Sequence, residues 1–155
     1  MTENETASDP VTRFWERPLD TLSQTEWEAL CDGCGRCCLK KLFDGDSDRI
    51  QYTRVACRNF DRSTHQCRSY QQRFEHVADC IDIRVIESSN MHWLPDTCAY
   101  RLRMQDLPLP HWHPLRHGGR DAMIAAGIPV GERVLSEEYV HPESYEEHVI
   151  RWVST

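Results

Sequence analysis

The sequence has no surplus of basic residues, since 18 Lys and Arg stand against 25 Asp and Glu, for a formal net charge of −7. A general nucleic-acid binder neutralises phosphates with basic side chains, so we expect no nucleic-acid partner. Long hydrophobic runs are missing too. The longest nearly apolar stretch, residues 122–130, is about half of the roughly 20 residues that a membrane span needs. We therefore expect no membrane-spanning segment.

The N-terminal residues lack the features of an export signal. Residues 1–9 have neither the basic start nor the apolar core of a secretory peptide. We interpret them as a disordered tail and the chain as a cytoplasmic protein. In that compartment glutathione and thioredoxin keep thiols reduced, so cysteines there more often bind metal or carry out redox chemistry than form structural disulfides.

Common nucleotide-binding and hydrolase motifs are also absent. The chain contains no G-x-x-x-x-G-K-[ST], no G-x-G-x-x-G, no H-E-x-x-H and no G-x-S-x-G. What it does contain is cysteine, with eight in 155 residues. That fraction, about 5%, is below the roughly 8–10% typical of a disulfide scaffold. A chain of this length buries a core without such bridges, so the cysteines need another explanation.

Four of the cysteines form the dense motif Cys31-Asp-Gly-Cys34-Gly-Arg-Cys37-Cys38. Its first three cysteines have the C-x-x-C-x-x-C spacing that supplies thiolates to cubane clusters in bacterial ferredoxins. Gly33 and Gly35 allow a tight backbone whose N–H groups can bond to sulfur. The side chains of Cys37 and Cys38 should diverge, because they are neighbours. Cys38 therefore either packs as a small apolar residue or serves a second site.

The other four cysteines are solitary, and no two of them form a C-x-x-C knuckle. Each is a candidate ligand from a separate segment, and the set comprises Cys57, Cys67, Cys80 and Cys98. We favour an iron–sulfur cluster, of the 4Fe–4S type, on Cys31, Cys34 and Cys37 with one of these four as the last ligand. The alternative is zinc in one or two four-cysteine sites. A thiol-based redox sensor or adaptor and an accessory enzyme are further alternatives.

Three histidines and three aspartates are further candidate ligands. His111 and His113 are at strand spacing, but beside Trp112 and Pro114 we expect them to pack or to form hydrogen bonds. His65 is a weaker ligand candidate next to Cys67. The alternating aspartates at 44, 46 and 48 lack the other residues of a calcium loop, so they predict an acidic turn.

The pattern of apolar residues and caps predicts a small, helix-rich α+β domain with few short strands, organised around the cysteine site. Residues 10–155 form that single domain. Ser23 and Glu26 form a capping box that begins a helix. We expect further helices at 10–18, 69–78, 95–104 and 121–126, strands at 50–55, 81–86 and 130–135, a turn at 59–66, and a second capping box at Ser144.

The C-terminal segment, residues 132–155, is acidic, with six Glu against two Arg. Such a run is usually a solvated face. The alternative is an acidic surface that docks a protein partner.

Beyond the cysteine motif, several flanking segments resemble the YcgN-type branch of the YkgJ-like cysteine-cluster proteins. The matching segments are T-E-W-E-A-L before Cys31, V-A-C-R at 55–58, C-R-S-Y at 67–70, W-L-P-D-T-C-A-Y-R-L at 93–102 and L-P-H-W-H-P-L at 109–115. The family is described as chelating zinc or iron, and the resemblance implies metal binding by the cysteines. Some larger relatives are linked to protein methylation, which is an analogy to this chain and not a site.

Overall fold

A computed structural model describes residues 13–47, 49–68, 83 and 88–155. Several predictions fall outside these residues: the N-terminal tail at 1–9, the helix at 69–78 and the candidate ligand Cys80. The strand predicted at 81–86 is represented by Ile83 alone, which lies in a helical turn and packs against a core cluster. The described part confirms the α+β class, since it combines short helices with two small sheets.

The N-terminal part consists of three short helices, of which the third leads into the cysteine motif. Two single 3-10 turns, Phe14–Glu16 and Leu19–Thr21, precede helix α1, Gln24–Ala29. The predicted capping box is present: the Ser23 hydroxyl accepts from the Glu26 N–H at 3.1 Å, and the Glu26 carboxylate accepts from the Ser23 N–H at 2.9 Å. This pair fixes where α1 begins, nearly two turns before Leu30 and the motif.

The main sheet begins with a hairpin immediately after the motif. Strand β1, Leu39–Asp44, pairs antiparallel with β2, Arg49–Ala56, from Leu39 opposite Ala56 to Asp44 opposite Arg49. The turn is built by the Asp44 carboxylate, which accepts from the Asp46 N–H and the Ser47 hydroxyl. The predicted strand at 50–55 is therefore confirmed as part of β2, whereas β1 was not predicted. The acidic stretch is a turn, as expected.

The remaining elements are short. They are strands β3 (Phe60–Asp61) and β4 (Gln66–Cys67), helices α2 (Ala99–Met104), α3 (Pro114–His117) and α4 (Asp121–Ala125), strand β5 (Leu135–Ser136), and 3-10 segments at Ser88–Trp93, Glu137–Tyr139 and Pro142–His148. β3 pairs with β4, so the predicted turn at 59–66 contains a small hairpin. β5 pairs parallel with β2.

Two predictions in the second half are corrected. The strand expected at 130–135 is reduced to Leu135–Ser136, because the chain turns at Gly131, whose φ is 57°. The second capping box is also wrong. His141, and not Ser144, caps the following segment, since the Nδ1 atom of His141 accepts from the Glu143 N–H at 3.1 Å. The helices predicted at 95–104 and 121–126 are confirmed over Ala99–Met104 and Asp121–Ala125.

The cysteine motif lies where three apolar clusters meet. Leu30 belongs to a cluster with Ala99 and Tyr100, Cys34 to one with Trp112 and Met123, and Leu39 to one with Tyr52, Phe60 and Val130. Residues 30–39 therefore contribute a side chain to each of the three clusters. Burial of these flanking side chains fixes the backbone that carries the cysteines.

In the acidic C-terminal segment, one of the six glutamates is turned inward. The Glu137 carboxylate accepts from the Arg58 N–H at 2.8 Å and lies 3.4 Å from the Lys40 ammonium. Docking of a protein partner on the rest of this segment stays a prediction. Among the described residues, no helix has the length and apolarity needed to cross a membrane.

Candidate metal centre

Two glycines give the motif its tight backbone. Gly33 and Gly35 have φ values of 73° and 81°, in the left-handed region that glycine adopts without strain. The turn is closed by the Cys38 N–H, which donates to the Gly35 carbonyl at 3.1 Å. As the spacing predicted, this backbone directs an N–H at sulfur, because the Arg36 N–H donates to Cys34 Sγ at 3.4 Å.

Distant segments hold the motif in place through buried hydrogen bonds. His113, fully buried, bonds through Nε2 to the Leu30 carbonyl at 2.8 Å. Its Nδ1 accepts from the Leu115 N–H, so Nε2 must carry the proton and donate. The Val130 N–H donates to the Cys34 carbonyl at 2.9 Å. His113 is thus a hydrogen-bonding residue, as the sequence indicated.

Four cysteines interact electrostatically with one another, and we call Cys31, Cys34, Cys37 and Cys98 the first cysteine group. Cys98 immediately precedes α2, and it packs against the cluster that contains both Leu30 and Ala99. The chain neighbours of Cys31 and Cys98 are therefore in the same piece of core. Tyr100 strengthens this contact, since its hydroxyl donates to the Trp27 carbonyl at 2.7 Å.

The charges of the first cysteine group act on one another. Burial, followed by the charge of Cys37, raises the pKa of Cys31 to about 12. Burial likewise raises the pKa of Cys98 to about 12, with a further contribution from Cys37. The pKa of Cys34 is also raised, chiefly by burial. Cys31 and Cys37 are exposed residues, whereas Cys34 is buried.

The other three described cysteines form a second cysteine group, Cys38, Cys57 and Cys67. Cys57 and Cys67 both contribute to the raised pKa of Cys38, after the hydrogen bond with Cys37 and burial. Cys37 and Cys38 share that hydrogen bond, which lowers the pKa of Cys37. Cys37 and Cys38 therefore contact each other. The other cysteines that interact with Cys37 belong to the first group, whereas those that interact with Cys38 belong to the second group.

A buried carboxylate, Asp32, lies within the first cysteine group. Its Oδ1 accepts from the Cys34 N–H at 3.0 Å, and the residue is only 8% exposed. In the part of the chain that the structure describes, its Oδ2 has no hydrogen-bond partner. Leaving a buried carboxylate oxygen without a hydrogen bond is costly. A bound cation offsets that cost, so Asp32 and the sulfur donors fit a metal site.

Basic side chains surround the backbone of the motif. The Lys41 ammonium donates to the Cys37 carbonyl at 3.1 Å, and Arg120 donates to the Asp32 carbonyl at 3.0 Å. Arg36 is buried and donates through Nε to the Ile128 carbonyl at 2.9 Å. These cations reduce the net negative charge of a thiolate-bound centre. Sequence patterns did not indicate Arg120, which lies in a distant loop.

The predicted ligands are brought together in part. Within the described ranges, no three His, Cys, Asp or Glu side chains already stand in metal-binding geometry, so the thiols must rotate to bind an ion. His65 is held by the protein instead: its Nε2 accepts from the Gly131 N–H at 3.0 Å. The ligand roles of the eight cysteines stay predictions, Cys80 among them.

Comparison with known proteins places the motif in a family. A family model named CxxCxxCC, described as "Putative zinc- or iron-chelating domain", matches residues 30–99. A UPF0260 protein of Shewanella pealeana is 44% identical over 140 residues, covering 90% of this chain and 94% of the relative. This chain belongs to the UPF0260 family. A second UPF0260 protein, of Ectopseudomonas mendocina, is 48% identical over 138 residues, which are 88% of this chain and 93% of that protein.

The predicted resemblance to the YcgN-type branch is confirmed. The UPF0260 protein YcgN of Salmonella typhi is 46% identical over 140 residues, 90% of each chain. No solved structure matches this chain significantly. The description of the matching domain supports metal binding, of zinc or of iron, by this member of the UPF0260 family.

Proposed function

We propose that this UPF0260 protein holds an iron–sulfur cluster on Cys31, Cys34, Cys37 and Cys98. The observation that carries the proposal is the packing of Cys98 against the cluster that contains Leu30, the residue directly before Cys31. Four thiolates are the usual ligand set of a 4Fe–4S cluster, and three of them have the spacing used in bacterial ferredoxins. Cys98 supplies the fourth corner, which the sequence left open among four cysteines.

The surroundings of the first cysteine group suit such a cluster. The Arg36 N–H donates to Cys34 Sγ, and hydrogen bonds of this kind stabilise thiolate and cluster charge. Cys31 and Cys37 are exposed residues, so a preassembled cluster can reach them. Lys41 and Arg120 add positive charge next to the motif. Donors and counter-charges thus agree with an anionic, thiolate-bound cluster.

Location in a reducing compartment, the cytoplasm, is part of the proposal. The seven cysteines that the structure describes are free thiols, available as ligands. An oxidising compartment would convert neighbouring thiols into disulfides and remove those ligands. Fractionation of cells that express the tagged protein should place it with a cytoplasmic marker.

The test is purification without oxygen, followed by an absorption spectrum and analysis of iron, acid-labile sulfide and zinc. We expect a brown protein whose iron and sulfide are present in equal amounts. A Cys98→Ser variant should lose the visible absorption, whereas a Thr97→Ser variant, with every sulfur kept, should retain it. A colourless protein with zinc bound to the first cysteine group would overturn the proposal.

A further inference from the structure

The second cysteine group is built by strand pairing. Leu39 is opposite Ala56 at the end of the β1–β2 ladder, so Cys38 and Cys57 are the next residues on the two strands. The pairing continues there, because the Cys57 N–H donates to the Cys38 carbonyl at 2.8 Å. The end of the ladder therefore brings Cys38, the last residue of a 3-10 turn, next to Cys57.

The small hairpin brings the third thiol. After Cys57 the chain turns, and the Phe60 N–H donates to the Cys57 carbonyl at 2.9 Å. Phe60 then pairs with Cys67 across β3 and β4. The Arg68 N–H donates to the Asn59 carbonyl at 2.7 Å, which extends this pairing towards Cys57. Cys38, Cys57 and Cys67 thus stand on three segments joined by consecutive backbone hydrogen bonds.

The environment of Cys57 suits a metal-bound thiolate. The Asn59 N–H donates to Cys57 Sγ at 3.5 Å, the N–H···S contact that stabilises thiolate ligands. All three cysteines of the group are partly exposed, so an ion from solvent has access to them.

We propose that Cys38, Cys57 and Cys67 bind one zinc ion, at a second site separate from the centre on the first cysteine group. Three thiolates fill three corners of the tetrahedron that Zn²⁺ prefers, and solvent or another donor fills the fourth. The thiols rotate about their χ1 bonds to converge on the ion, and each releases its proton to solvent when it binds. This inference adds to the proposed function and holds whichever metal occupies the first group.

The second site has a structural role. β3 and β4 contain two residues each, which is too few for an independently stable hairpin. A zinc ion shared by Cys38, Cys57 and Cys67 ties that hairpin to the ends of β1 and β2. It thereby also fixes Cys38, whose chain neighbour Cys37 belongs to the first group.

The test compares serine variants of the two groups by elemental analysis and visible absorption. We expect Cys57→Ser and Cys67→Ser each to lose one equivalent of zinc per chain while the visible absorption of the cluster is kept. Cys98→Ser is the matched control from the first group, and it should lose the absorption but keep the zinc. If all three variants lose the same metal in the same proportion, the chain has a single shared centre and the inference is wrong.

A measurement on the wild-type chain guards against variants that fail to fold. The protein is treated with a zinc chelator and then with a cysteine-alkylating reagent, and the labelled sites are found by mass spectrometry. We expect alkylation of Cys38, Cys57 and Cys67 to rise together after chelation, while the first group stays protected. Labelling of the second group that is unchanged by chelation would contradict the inference.

The outcomes also separate this inference from the proposed function. A colourless protein with two zinc ions per chain, of which one is lost in Cys57→Ser, would reject the cluster and support the second site. A brown protein that contains no zinc, and in which Cys57→Ser changes no metal content, would support the cluster and reject the second site.

Discussion

Substitution of Gly35 by alanine should strongly destabilise the protein, for two reasons that can be separated. Gly35 has a φ of +81°, where an L-residue costs roughly 1–2 kcal/mol. An added Cβ would also lie 2.5 Å from Phe60 Cζ and 3.0 Å from Val130 Cγ2. Both neighbours are buried, Phe60 at 5% exposure and Val130 at 0%. They cannot move without disturbing the core, and such overpacking costs about 1–3 kcal/mol.

The two contributions add to about 2–5 kcal/mol, a large part of the 5–15 kcal/mol that stabilises a typical domain. For a chain of this size, each kcal/mol lowers the melting temperature by roughly 2–4 °C. Urea unfolding followed by circular dichroism gives the free energy, and a thermal melt checks it.

Two other glycines serve as matched controls. Gly118 has a φ of +92°, but its added Cβ would meet nothing within 4 Å, so Gly118→Ala tests the backbone contribution alone. Gly45 has neither a positive φ nor a neighbour within 4 Å. Gly45→Ala should therefore change the free energy by less than about 0.5 kcal/mol, and Gly118→Ala should cost about 1–2 kcal/mol.

The clash has its own test. Replacing Phe60 with leucine in the Gly35→Ala protein should cost less than the sum of the two single substitutions, because the smaller side chain relieves the contact. Gly35 lies between Cys34 and Cys37, so metal content is measured in each variant. A Gly35→Ala protein that is as stable as Gly118→Ala would show that the added Cβ causes no clash. A loss of stability that vanishes when the metal is removed would also refute the clash.

Three further substitutions test contacts that position the motif. Ser23→Ala should cost about 1 kcal/mol in urea unfolding, because it removes the cap of α1. Glu137→Gln should cost about 1–2 kcal/mol near neutral pH. Burial raises the pKa of Glu137, but the Arg58 N–H and the Lys40 charge lower it by more. The stability that Glu137→Gln loses should therefore be lost by the wild type as well once the pH falls below the usual glutamate range, and the difference between the two proteins should disappear. His113→Leu should cost about 2–4 kcal/mol, since the buried Leu30 carbonyl and the partly buried Leu115 N–H both lose their bonds. The exposed His111→Ala should be neutral within about 0.5 kcal/mol.

Local signals in the sequence predicted the parts of the fold that local interactions determine. The Ser23 capping box, the β2 segment and the helix ended by Gly127 all depend on residues a few positions apart. Strand β1 was not predicted because the apolar and polar residues of Leu39–Asp44 do not alternate. A period of two is the signal that identifies a half-buried strand. The register of β1 with β2 also shifts between Leu39 and Lys41.

The separation of the cysteines could not be predicted, because it depends on which distant segments pack together. Cys98 reaches the motif since Leu30 and Ala99 share one cluster. Cys57 reaches Cys38 through the register of β1 and β2, and neither fact is visible in the spacing. Asp32 is a similar case. An aspartate in a glycine-rich turn is usually solvated, and only the packed structure shows that this one is buried.

The final two cysteines of the motif, Cys37 and Cys38, belong to different cysteine groups because the local structure changes between them. Cys38 ends a single 3-10 turn and stands directly before β1, so its backbone belongs to the sheet pairing, while Cys37 still belongs to the turn. Two adjacent residues at such a junction can serve ligand groups on different segments. A single serine at either position should therefore remove metal from its own group first. Cys37 and Cys38 are adjacent in the backbone. A loss of order at one cysteine group is therefore transmitted to the other group through the chain, even though the two groups share no ligand.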